Sequence, residues 1–155
     1  MFQVVPLQAA DFAHFQGKTD EELEKLGAKA YVAEPGGGYP CRLTLEGAKP
    51  GERVILLNYE HLPSRNPYQS RYAIFIREGM NEIVPAPGTI PKMIEGRSIS
   101  VRAFNKNHML VQAVVVDGVE TPACFEAMLK DINVDYLHMH FAAYGCYIAT
   151  VKRAE

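Results

Sequence analysis

The chain has 155 residues, 48% hydrophobic and 22% charged, which excludes a disordered or low-complexity protein and suffices for a single domain, residues 1–155, with a closed core. Sixteen Lys and Arg against 18 Asp and Glu give a net charge of −2, without the basic footprint that nucleic acid demands. No apolar run is long enough for a membrane span, MFQVVPLQAADF lacks a basic-then-apolar leader, and three cysteines without C-x-x-C spacing predict a reducing, cytoplasmic setting.

In chain order, Phe2–Leu7 reads as a first edge strand closed by Pro6, since proline cannot donate to a ladder. Thr19 stands three residues before Glu22 in TDEELEKLGA, the spacing of a capping box, and predicts a short helix over about Asp20–Leu26 with Gly27 as its stop. A strand over Lys29–Ala33 precedes the loop Pro35–Gly38. Its three glycines do not make a phosphate loop, because no Gly-Lys-Ser/Thr and no helix follow; the run predicts a flexible connection or a loop lining a pocket.

Tyr39–Leu45 alternates in strand fashion, with Cys41, Leu43 and Leu45 on one face and Arg42 and Thr44 on the other. A Lys49-Pro50-Gly51 turn then predicts a hairpin between it and Arg53–Tyr59, an apolar run of the kind buried on both faces. His61–Arg71 reads as a long polar loop stiffened by Pro63 and Pro67, Tyr72–Arg77 as a strand, and Pro85–Pro91 as a surface loop. Pro91–Glu95 suits a single helical turn.

Arg97–Phe104 and Met109–Val116 flank Asn105-Lys106-Asn107, a hairpin signal because asparagine tolerates positive φ. Glu120–Asp131 predicts a helix with Pro122 in its first turn and Cys124, Met128 and Leu129 on a core-facing side. Val134–Val151 closes the chain as two strands about a tight turn at Gly145. Together these predict an α+β fold: a mostly antiparallel, curved sheet of about seven to nine strands with two or three short helices.

The chemistry concentrates in the last hairpin. His138 and His140 are two residues apart and so share a strand face. The hairpin returns Cys146 beside them, on a side that the register decides. A histidine there can act as general acid or base, and Cys146 as a nucleophile if its thiolate is stabilised. The two imidazoles could also bind a metal if Cys41, Cys146 or His61 supplied a third ligand. The arginines Arg42, Arg65, Arg71, Arg77, Arg97 and Arg102 are either surface charges paired with Glu46, Glu52, Glu60 or Glu78, or part of an anion pocket. Arg42 and Arg102 stand out, because each interrupts an apolar strand.

The resulting expectation is a protein that binds, and as an enzyme would transform, a small anion. Its pocket would combine catalytic candidates His138, His140 and Cys146 with ligand-binding candidates Arg42, Cys41, His61, Tyr68, Arg71 and Arg102. The alternatives are a non-catalytic interaction or homodimerisation module and a metal-binding protein using His138 and His140. Nothing in the motifs identifies a cofactor, and neither nucleic acid nor membrane is an expected partner.

Tyr39-Pro40-Cys41-Arg42, Asn66-Pro67-Tyr68, Ala73-Ile74-Phe75-Ile76-Arg77, Ser100-Val101-Arg102-Ala103-Phe104 and His138-x-His140-x5-Cys146 occur in that order. In this the chain resembles a bacterial family catalogued as domain of unknown function 1203, nearly over its whole length. The resemblance implies a single domain and no reaction or ligand.

Overall fold

The computed structural model describes residues 1–155 as eight strands in two antiparallel sheets, with short helices packed against them. The first sheet contains β1 (Phe2–Val5), β5 (Ser98–Phe104), β6 (Leu110–Asp117), β7 (Tyr136–Phe141) and β8 (Tyr147–Arg153), in the order β1-β8-β7-β5-β6. The second contains β2 (Lys29–Val32), β3 (Arg53–Leu62) and β4 (Ser70–Arg77), in the order β2-β3-β4. The class is α+β, as predicted, with the strands divided between two sheets. Residues 78–97 carry the chain from one sheet to the other, and Pro85, Pro87 and Pro91 prevent this stretch from extending either ladder.

Helix α1 (Asp20–Lys25) is capped by Thr19, whose hydroxyl accepts from the Glu22 amide at 3.2 Å, and it buries Leu23. Helix α2 (Thr121–Leu129) has Pro122 in its first turn and seats Phe125, Met128 and Leu129 on the first sheet. There they meet Ile99, Val101, Leu137, Met139 and Val151, each such side chain contributing about 1.5–3 kcal/mol by burial. A second core gathers Leu7, Phe12, Phe15, Leu23, Cys41, Leu43, Ile55 and Ile74. Phe12 and Phe15 reach it from a 3₁₀ helix over Ala9–Phe15 that the sequence reading did not assign. No helix is long and apolar enough to cross a membrane.

Three local expectations are corrected. Tyr39–Leu45 is not a strand and does not pair with β3, whose neighbours are β2 and β4. It is a compact turn with isolated bridges Pro40–Gly47 and Cys41–Phe75 and a positive φ of 55° at Leu45. Alternation identifies a strand only when one face meets solvent, and here every residue from Cys41 to Leu45 is buried. In the β5–β6 turn the positive φ falls on His108 rather than on an asparagine; Asn105 contributes by accepting from the Asn107 and Met109 amides at 2.9 and 3.1 Å. Finally, β3 runs beyond Tyr59 through an irregularity to Leu62, which puts His61 on a strand and not in the loop.

Candidate functional site

β2 and β3 are joined by a long excursion. The Ala33 amide donates to the Glu52 carbonyl at 2.8 Å, closing the base of residues 34–51, and midway the Arg42 amide donates to the Phe75 carbonyl of β4 at 3.1 Å. Gly36, Gly37 and Gly38 have φ of 104°, 83° and 100°, which side chains disfavour, so only glycine suits this part of the excursion. It delivers Arg42 between the two cores.

Arg42 is 1% exposed. Its Nε donates to the Tyr147 carbonyl at 2.6 Å and its Nη1 to the Pro40 carbonyl at 2.5 Å, which fixes the guanidinium beside the Cys146 thiol. No carboxylate pairs with it. Burial pulls its pKa down, and the Cys146 thiol beside it pulls the other way. A guanidinium nevertheless stays protonated at neutral pH, so a buried positive charge lacks a countercharge. Arg77 is the internal contrast. It is 3% exposed, and Glu52 meets it in a two-bond fork at 2.9 Å while Glu46 lies at 3.6 Å.

Arg42 lines a cleft of about 530 Å³ built from both sheets. The glycine run, Tyr72 and Phe75 come from one side, and Arg97, Phe141, Tyr144 and Cys146 from the other. The Arg42 and Arg97 guanidinium carbons lie 5.4 and 5.3 Å from the centre of the Phe141 ring, within cation–π range. Arg97 is exposed and also lacks a carboxylate partner.

The histidines assemble elsewhere. His138 and His140 share a face of β7, as their spacing predicts, and His61 of β3 joins them with ring centres 6.1 and 4.9 Å away. Tyr147 stacks on His61 at 5.5 Å, and Arg102 lies opposite His138 on the neighbouring strand. Burial, with the Arg102 charge adding to it, lowers His61 to about 4. Burial likewise lowers His140 to about 3, although the Gly145 carbonyl, 2.8 Å from Nδ1, opposes the shift. His138 falls well below the usual range through burial, reinforced by the competing imidazoles of His140 and His61 and by the Arg102 charge. At neutral pH all three are uncharged imidazoles, and Nδ1 of His61 and of His138 are buried without a hydrogen-bond partner. His61 and His138 line a shallower depression of about 290 Å³ with His108, Tyr136 and Lys152. No group of three or more His, Cys, Asp or Glu side chains is disposed to hold a metal ion.

The expected single pocket is therefore two places. Arg42 and Cys146 are together in the cleft; His61, His138, His140 and Arg102 are together where β3 meets β7 and β5. Cys146 is not returned beside the histidines. A bulge in the last hairpin pairs Met139 with Ala149 but His140 with Tyr147, and the Phe141 amide then donates to the Cys146 carbonyl at 3.0 Å. Cys146 thus falls opposite Phe141, and the extra residue reverses its side. Cys41 is fully buried, its Sγ accepting from the Leu43 and Arg77 amides at 3.4 and 3.2 Å. Arg71 is exposed and bonds to Asn58, with Glu60 at 3.9 Å, and Tyr68 packs edge-on to Phe104 outside the cleft. Phe141 and Tyr144 are lining residues for which the sequence offers no signal. Arg42, which interrupts an apolar strand pattern, and the Gly36–Gly38 run are the sequence signals for the cleft; three successive residues at positive φ leave a wall with no side chains.

Neither the comparison with curated proteins nor that with solved structures returns a match. A family model does match, over residues 38–153, which include every charged and aromatic residue of the cleft and all three clustered histidines. The chain belongs to the family described as Protein of unknown function (DUF1203).

Proposed function

We propose that this protein binds a small anionic molecule in the cleft between its sheets, with Arg42 as the principal anion-recognising group. The observation that carries the reading is the contrast between two buried arginines: Arg77 has two carboxylates within 4 Å, and Arg42, 1% exposed, has none. A buried charge without a partner costs several kcal/mol, and an anion in the cleft supplies the missing countercharge. The backbone bonds from Nε and Nη1 hold the guanidinium in place before the ligand arrives, which lowers the entropy lost on binding.

Isothermal titration of benzenesulfonate into wild-type protein and Arg42→Met tests this. Binding to the wild type and its loss, by at least tenfold, in a variant with an unchanged circular dichroism spectrum is the expected result. Equal binding by a folded Arg42→Met would overturn the reading, as would the failure of the wild type to bind benzenesulfonate, phenyl phosphate and phthalate alike.

A further inference from the structure

Resting on that reading, we infer that the ligand is a dianion carried on a compact apolar, preferably aromatic, body: a phosphomonoester or a dicarboxylate rather than a bare inorganic anion or a monoanion. The cleft presents two cations, Arg42 and Arg97, and no acidic side chain lines it. Arg42 alone would satisfy one negative charge. Arg97 is the second, and the ring of Phe141 holds both guanidinium groups within the sum of 5.4 and 5.3 Å of each other. Neither has a carboxylate in the protein to discharge it.

The remaining wall is apolar and aromatic. Tyr72 and Phe75 come from β4 and Tyr144 from the turn between β7 and β8, and Gly36–Gly38 contribute backbone without side chains. Such a surface gains little from a bare hydrated ion and much from a flat apolar group that it can desolvate. The volume of about 530 Å³ lies within the range of small-ligand pockets, larger than an inorganic anion fills. A phosphomonoester carries close to two charges above pH 7, as its second pKa is about 6. A dicarboxylate offers the same charge on two separate heads.

Four probes at pH 7.5 separate the contributions: phenyl phosphate, phthalate, benzenesulfonate and inorganic phosphate, each titrated into wild type, Arg97→Ala and Tyr144→Ala. Arg97 and Tyr144 are both exposed, so neither variant endangers the fold. Phenyl phosphate or phthalate is expected to bind at least tenfold more tightly than benzenesulfonate and than inorganic phosphate, and whichever dianion binds better identifies the head group. Arg97→Ala should bring the dianions to the affinity of benzenesulfonate. Tyr144→Ala should weaken the ring-bearing probes and leave inorganic phosphate unchanged. Benzenesulfonate binding as tightly as both dianions, or dianion affinity indifferent to Arg97→Ala, would overturn the inference and leave anion binding at Arg42 standing. Inorganic phosphate binding as tightly as phenyl phosphate would overturn the aromatic body. No binding of any probe would overturn this inference and the anion reading together.

Discussion

Arg42 and the three histidines are both buried sets with positive-charge capacity, and they solve the problem of burial in opposite ways. Arginine cannot surrender its proton, so it needs a partner; histidine can, and His61, His138 and His140 do. This fixes the sign of a pH effect. In the unfolded chain each histidine titrates near its usual value, about 6.5, whereas folded His61 and His140 titrate at about 4 and about 3. Between those values the unfolded chain holds more protons than the native one. The histidine contribution is therefore complete above pH 6.5 and is lost as the pH falls toward the folded values. Each group steepens the loss by at most about 1.4 kcal/mol per pH unit. Urea midpoints at pH 7.5, 6.0 and 5.0 should fall progressively, and less steeply in His140→Gln, whatever that variant's stability at pH 7.5. Equal slopes would mean that His140 takes up its proton in the folded state. The shared face of His138 and His140 was legible, because the period of a strand is local. The place of Cys146 was not, because one bulge residue decides it.

At the scale of elements, the hairpins β5–β6 and β7–β8 and helix α2 were readable, since turn residues and periodicity act over a few positions. What the sequence could not supply was how separate elements approach. Gly118, between β6 and α2, is the clearest case. A Cβ there would stand 1.7 Å from the Ile94 carbonyl oxygen and 2.4 Å from its carbon, backbone atoms that cannot rotate away. The requirement is for space rather than for a left-handed conformation, so no turn signal marks it. The Gly118 amide also donates to the Arg97 carbonyl at 2.8 Å, which ties this contact to the cleft. Gly118→Ala is expected to lower stability by about 1–3 kcal/mol or more, seen as a lower urea midpoint at constant m-value. It should also weaken phenyl phosphate binding through displacement of Arg97. A variant as stable as wild type would show that the turn over Lys92–Ile94 can withdraw freely from position 118. The same dependence on distant neighbours explains Tyr39–Leu45, whose strand-like alternation concealed a segment buried on every side.

At the scale of the whole molecule, two sheets and two cores raise the question of whether they unfold separately. Their side chains are exchanged. Leu45 belongs to the first core although Cys41 and Leu43 of the same turn belong to the second, and Tyr147 of β8 in the first sheet packs in the second core. Arg42 bonds to the carbonyl of that same Tyr147, so opening the second core withdraws a ring and breaks a 2.6 Å hydrogen bond at the edge of the first. Neither core closes without the other, and a single cooperative transition follows. The chain has no tryptophan and eight tyrosines, so tyrosine fluorescence follows global unfolding in urea. Cys41 is completely buried, and its alkylation, assigned by mass spectrometry against Cys124 and Cys146, follows the second core alone. The two midpoints should coincide. Saturating phenyl phosphate should raise them together, because a ligand between the sheets binds only when both are in place. Alkylation of Cys41 at lower urea than the tyrosine transition would instead divide the chain into two units, with the cleft as their boundary. A cleft at such a boundary would form and dissolve with their docking, and ligand would then raise the Cys41 midpoint more than the tyrosine one.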